Sequence, residues 1–195
     1  MFVVIEGIDG SGKSTLAKAL AERLGACAVL TREPTDASSW GRRLREAEVK
    51  GRLDRADEIE HFHRDRVHHL EMLIRPALRD GKIVITDRYV DSTLAYQASD
   101  IADAEKLFVQ MAPELDVPDL VIVLDLPVET ALARIGKGRG AKTQFELRET
   151  LERARAIYDS RKGQQYHHLD ATKPFAEVVA AAMALVRSSP KFPKP

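Results

Sequence analysis

The chain contains no asparagine and only one cysteine, Cys27. The first absence removes guanine-reading switch proteins, which use an Asn-Lys-x-Asp motif. The second rules out an intramolecular disulfide and fits a reducing compartment. Cys27 lies in an apolar run and is expected to be an inert core thiol. There is no charge excess either, because 30 Lys and Arg balance 30 Asp and Glu. The chain therefore has no overall basic field to draw nucleic acid or a membrane surface. No apolar stretch reaches about 18 residues, so no membrane span is expected. The first strand-like run begins at residue 2, which leaves no room for a secretory signal peptide, and the expected location is the cytoplasm. Internal repeats are absent. The 195 residues suffice for one domain with its own core. That domain is expected over residues 1–188, with 189–195 a loose tail.

What is present begins with Gly7-Ile8-Asp9-Gly10-Ser11-Gly12-Lys13-Ser14. It follows the apolar run Phe2-Val3-Val4-Ile5 and opens into a helix-like run from Thr15. This is G-x-x-x-x-G-K-[ST] in the context it requires, between a strand and a helix. Its glycines permit positive φ, so the backbone can close on an anion. The N–H groups from Gly7 and Gly10 through Ser11, Gly12, Ser14 and Thr15 then face phosphates at a helix N-terminus. Lys13 is placed to reach the β- and γ-phosphates, and Ser14 to ligate Mg²⁺. A nucleoside triphosphate is the expected ligand.

Further strands are expected at Ala26–Thr31, Ile83–Thr86, Leu120–Leu124 and Tyr166–Leu169. Helices are expected between them, including a long one over Asp54–Arg79 that Pro76 should kink. Alternation of this kind predicts an α/β fold: a parallel five-stranded sheet with helices on both faces. Ligands in such sheets bind beyond the carboxyl ends of the strands. Arg32-Glu33, Asp87-Arg88, Asp125 and Asp170 all stand at such ends. A glycine-hinged lid is read at about 135–145, with Arg134, Lys137, Arg139 and Lys142 as its cations.

Two uses of the triphosphate are compatible with these features. One is a kinase acting on a small phosphorylated acceptor, since phosphoryl transfer is mostly positioning and charge neutralisation. The other is a nucleotide-binding regulatory ATPase with little transfer activity. Asp87 is followed by Arg88, whereas motor ATPases commonly end this strand in Asp-Glu; an arginine there suits a second anion.

The ordered motifs Ile5–Thr15, Thr31-Arg32-Glu33-Pro34, Phe62-x3-Arg66-x2-His69, Asp87-Arg88-Tyr89, Thr93-x2-Tyr96-Gln97, Leu124-Asp125 and Asp170-Ala171-Thr172 resemble those of thymidylate kinases. The likeness runs over about residues 2–186. It implies a three-layer P-loop fold, ATP and Mg²⁺, dTMP as acceptor, and a homodimer. A kinase for another (deoxy)nucleotide is the neighbouring alternative. Phe62 and Arg66 share one helix face and would stack on a pyrimidine and donate to its O4. Gln97 suits the N3/O4 edge, with Thr93 in support. Tyr96 would pack on the sugar, and Asp9 would accept from the 3′-hydroxyl. Arg45 and Arg88 would clamp the monophosphate. Asp87 would organise Mg²⁺ or the acceptor phosphate, and Arg134 would stack on adenine opposite Ala171. In one form of the family an arginine follows the acid inside the phosphate loop. Here that position is Gly10, so Arg139 of the lid is expected to be the catalytic arginine, with Lys137 or Lys142.

Three positions depart from the resemblance. Thr35-Asp36 stand where two glycines are usual, Gln144 leaves the distal lid one cation short, and Arg64 replaces a small residue. Arg64 falls on the helix face away from Phe62 and is expected to point outward. His61, Asp65 and His68 share a face but lack an evident fourth metal ligand.

Overall fold

The computed structural model describes residues 1–136 and 144–193, the side chains of 144–146 excepted. Five strands form one parallel sheet: β1 (Phe2–Gly7), β2 (Ala28–Arg32), β3 (Ile83–Asp87), β4 (Leu120–Asp125) and β5 (Tyr166–Asp170). Their order is β2-β3-β1-β4-β5. The three inner strands are nearly continuous apolar runs because helices cover both their faces. The two edge strands are only half-buried. The register pairs Ile5 with Asp87, Arg32 with Asp87, Gly7 with Leu124 and Asp125 with Asp170. The polar strand ends are thus gathered along one edge, where ligands bind in open α/β sheets.

Helix α1 (Lys13–Leu24) buries Leu16 and Leu20 completely against the sheet, as their four-residue spacing requires. It stops at Gly25, and Gly25–Cys27 make one tight turn before β2. Two expectations change here. The strand starts at Ala28 rather than Ala26, and Cys27 is exposed on the turn instead of buried in the core.

Helix α2 (Ser39–Lys50) is capped by Ser38, whose hydroxyl accepts from Gly41 N at 2.8 Å. It packs on α3 (Arg55–His69), which starts from an Asp54 cap. The long helical run continues through a wide π turn, Leu70–Ile74, into α4 (Arg75–Arg79). Arg75 N donates to Leu70 O, five residues back. Pro76 has no N–H and its ring crowds the preceding turn; the wide turn takes up that disturbance.

Helices α5 (Val90–Gln97) and α6 (Ile101–Met111) follow β3, and α7 (Val128–Ile135) follows β4. α8 (Gln144–Ser160) packs on α5, and α9 (Phe175–Ser188) on α1. Beyond α9, Phe192 packs against the core and Lys191 stands 3.6 Å from Asp119.

Candidate active site

The phosphate loop leaves β1 with Gly7, Gly10 and Gly12 at φ of 137°, 82° and 98°. Lys13 Nζ donates to Ile8 O at 3.0 Å and lies 3.8 Å from Asp9 Oδ1. Burial, with Arg88 nearby, pushes its pKa down to about 8. A bound phosphate would raise it again. Gly10 is tightly enclosed: a Cβ there would stand 2.9 Å from Ala131 O. An arginine at this position would need α7 to shift, so the loop is built without one.

Asp87 closes β3 beside the loop. Its Oδ2 accepts from Ser14 Oγ, while its Oδ1 is buried with no partner. A buried carboxylate oxygen left open next to the phosphate-loop hydroxyl fits a divalent cation. Arg88 then adopts φ 76°, the one left-handed non-glycine among the described residues. Such a conformation is uncommon for a bulky side chain and needs support. Here Arg88 N donates to Ile5 O at 3.0 Å, and the guanidinium donates to Asp9 Oδ1 and to Ser92 Oγ (3.0 Å). It also lies over the Tyr96 ring at 5.3 Å. Tyr96 Oη accepts from Asp9 N at 2.8 Å, which joins α5 to the phosphate loop.

The helical wall across from this turn is α3. Arg66 is only 1% exposed, and its charge is met by Glu33 Oε2 at 2.8 Å. Its second nitrogen donates to Thr93 Oγ1 at 2.9 Å and Tyr89 O at 3.1 Å; Nη1 has no partner. His69 Nδ1 shares the Glu33 carboxylate at 3.2 Å. Gln97 Nε2 donates to Glu58 Oε2 at 2.7 Å, which fixes the amide and leaves Oε1 buried and open. Phe62 is half-buried and lies outside the main apolar cluster. Arg64 is exposed and paired with Glu60 at 2.7 Å. Arg45 donates to Pro34 O at 2.5 Å.

On the other side of the loop a cleft of about 220 Å³ is lined by Ser11, Gly12, Thr15, Arg134, Ala171 and Lys173, among others. Arg134 reaches across it, donating to Gly10 O and Ala171 O at 3.2 Å each. That is the place expected for adenine. Lys137, Arg139 and Lys142, the expected lid cations, lie outside the described residues.

A family model described as thymidylate kinase matches residues 5–182. The chain is 43% identical over 191 residues to the thymidylate kinase of Xanthomonas campestris pv. campestris, covering 95% of this chain and 82% of that one. It is 36% identical to the thymidylate kinase of Brachyspira hyodysenteriae, over 98% and 95% of the two chains. Among solved structures it is similar to the thymidylate kinase of Ehrlichia chaffeensis, with a TM-score of 0.66, 28% identity and coverage of 95% and 97%. The chain belongs to the thymidylate kinase family. It is thus a phosphotransferase, and its fold is the family's P-loop α/β sandwich.

Several residues that shape this thymidylate kinase site do not stand out as site residues in the sequence. Glu6, fully buried in β1, accepts from Tyr89 N (2.8 Å), Ser92 N (3.2 Å), Ser92 Oγ (2.6 Å) and Tyr158 Oη (3.0 Å). It therefore anchors the strained turn at Arg88 and ties it to α8. Burial, with Asp91 nearby, pushes its pKa up to about 7. Glu33 and Glu58 hold Arg66 and Gln97 from behind. Arg32, registered against Asp87, borders the same cavity as Ser14. The available signals were the strand-end position of Arg32 and Glu33 and the motifs Ile5–Thr15 and Thr31–Pro34 that contain Glu6, Arg32 and Glu33; partners so distant in sequence leave no pattern.

Proposed function

We propose that the chain transfers the γ-phosphoryl group of ATP to dTMP, giving dTDP and ADP. An oxygen of the acceptor's monophosphate attacks the γ-phosphorus, and the bond to the β-phosphate oxygen breaks. No general base is required, because that oxygen is already ionised near neutral pH. One observation carries the reading. Among the described residues, eight buried side-chain atoms lack a hydrogen-bond partner; they include Ser11 Oγ, Arg66 Nη1, Asp87 Oδ1 and Gln97 Oε1. All four belong to residues singled out by motif, and open buried polar atoms call for a ligand. An open acceptor on Gln97 and an open donor on Arg66 match N3–H and O4 of thymine. Cytosine presents the opposite pattern at those atoms.

Each residue's task follows from its chemistry. Lys13 and the loop N–H groups hold the donor phosphates. Ser14 and Asp87 would hold Mg²⁺, which would screen the charge between the two nucleotides when bound. Arg45 and Arg88 receive the acceptor phosphate, while Asp9 meets the sugar. Thr93 steadies Arg66, and Phe62 and Tyr96 flank base and sugar. Arg134 faces adenine. Arg139 supplies the transition-state cation. The same proposal includes a homodimer, supported by the exposed Trp40, Val49 and Met72 on α2 and the π turn. It also places the enzyme in the cytoplasm, in keeping with its lone cysteine.

The test is ADP release coupled to acceptor, measured with dTMP, dUMP, dGMP, dAMP and dCMP. Turnover stimulated by dTMP is expected. ATP turnover independent of any monophosphate would instead favour a regulatory ATPase.

A further inference from the structure

The loop between β2 and α2 is held firmly from one side. Asp65, 1% exposed, accepts from Thr35 N (2.6 Å), Thr35 Oγ1 (2.6 Å) and Ser38 Oγ (2.5 Å). Gly41 lets α2 press onto the loop, since a Cβ there would stand 2.1 Å from Thr35 O. Thr35 is thereby buried, and the next residue, Asp36, is exposed. The Asp36 carboxylate accepts from Arg32 Nη2 at 2.8 Å and lies 3.5 Å from Arg45 Nε. Its backbone carbonyl accepts from Arg42 Nη1 at 3.0 Å. Arg32, Thr35 and Asp36 line one cavity of about 460 Å³ together with Ser14 and Asp87. A carboxylate is therefore stationed on two arginines at the wall of a cavity that Ser14 and Asp87 also line. The hydrogen bond from Arg32 holds its carboxyl below the usual carboxylate range, so it stays ionised.

We propose that Asp36 is an internal competitor of the acceptor's phosphate, occupying Arg32 and Arg45 in the acceptor-free enzyme and recapturing them as product leaves. A phosphate monoester carries about −1.5 to −2 charges at neutral pH and displaces a single carboxylate. Breaking two exposed ion pairs weakens acceptor binding without touching the base contacts. The inference rests on Arg45 receiving the acceptor phosphate.

Calorimetric titration of dTMP and of thymidine into the full chain, without ATP, tests it. Asp36→Asn should bind dTMP about two- to tenfold more tightly than the wild type and lower its KM in proportion. Asp36→Ser should behave alike, and thymidine affinity should not change. Inorganic phosphate should compete with dTMP more strongly in both variants. Unchanged or weaker dTMP binding in both would overturn the proposal; in the weaker case Asp36 would be orienting the arginines for substrate. Arg45→Ala separates the two levels. If it leaves dTMP binding intact, the clamp itself is misassigned, whatever Asp36 does. If it weakens dTMP binding while the Asp36 variants do not tighten it, only the competitor is lost.

Discussion

The two sides of the phosphate loop are built differently. On the proposed acceptor side the polar side chains are already held by others: Arg66 by Glu33, Gln97 by Glu58, Arg88 by Asp9. On the donor side Arg134 hydrogen-bonds to backbone carbonyls, those of Gly10 and Ala171. The difference follows from what each side must distinguish. A triphosphate tail is the same for every nucleotide, so backbone N–H groups suffice to bind it. One pyrimidine among several must be read by donors and acceptors at fixed positions, and an unmatched site atom penalises the wrong base.

The most severe break in this comparison should come from the lid cation proposed for the donor side. Arg139→Ala should lower kcat by roughly 10³–10⁵ with little change in either KM, as expected for a contact made in the transition state. A rise in KM alone would remove Arg139 from that role.

Next in size is the acceptor wall. Arg66→Lys keeps a charge for Glu33 but loses the open Nη1 donor. Its dTMP dissociation constant should rise about 10- to 100-fold, the range for a hydrogen bond to a charged group, with ATP affinity unchanged. Equal losses for both nucleotides, measured by calorimetry, would erase the division between the two sides.

Arg134→Ala should be milder. Loss of one exposed cation over a ring should raise the KM for ATP about two- to fivefold and leave dTMP alone. A larger effect would mean that Arg134 organises the loop through Gly10 rather than contacting the base.

A further effect, read in stability instead of turnover, concerns pH and the foundation of the proposed acceptor side. Glu6 has an ordinary pKa of 4.5 raised to about 7. The folded state therefore keeps a proton that the unfolded state releases between those values, and this contribution to stability is lost as pH rises from 4.5 to 7. Asp91, also buried and shifted upward, acts in the same direction. Glu6→Gln can accept from the two N–H groups and donate to the two hydroxyls. Its urea midpoint should fall less steeply than that of the wild type between pH 5 and 7. Identical slopes would assign the pH dependence elsewhere.

Much of this molecule is legible in its sequence because strand ends carry the chemistry. The phosphate loop, Asp87-Arg88 and Asp170 each stand at a strand end, and the parallel register then brings them together. What stays hidden is partner choice. Burial of Arg66 demands an anion, yet nothing local names Glu33, 33 residues earlier. Gln97 likewise gives no hint of Glu58, 39 residues away. Cys27 was misplaced for a related reason: an apolar neighbourhood in sequence does not say that a reversal will turn the thiol outward.

The π turn at Leu70–Ile74 adds a matter of phase. On a regular helix Arg75 would lie about 180° around the axis from Arg66, nine steps of about 100° each. The wide turn spends roughly one residue without advancing its share of the rotation. Arg66 can then face Thr93 while Arg75 meets Asp116 at 2.9 Å, on a different wall of the same domain. Helical wheels drawn through residue 70 thus fall out of step from there on. A substitution planned for the downstream face by counting turns from Arg66 would land about a quarter-turn from its target.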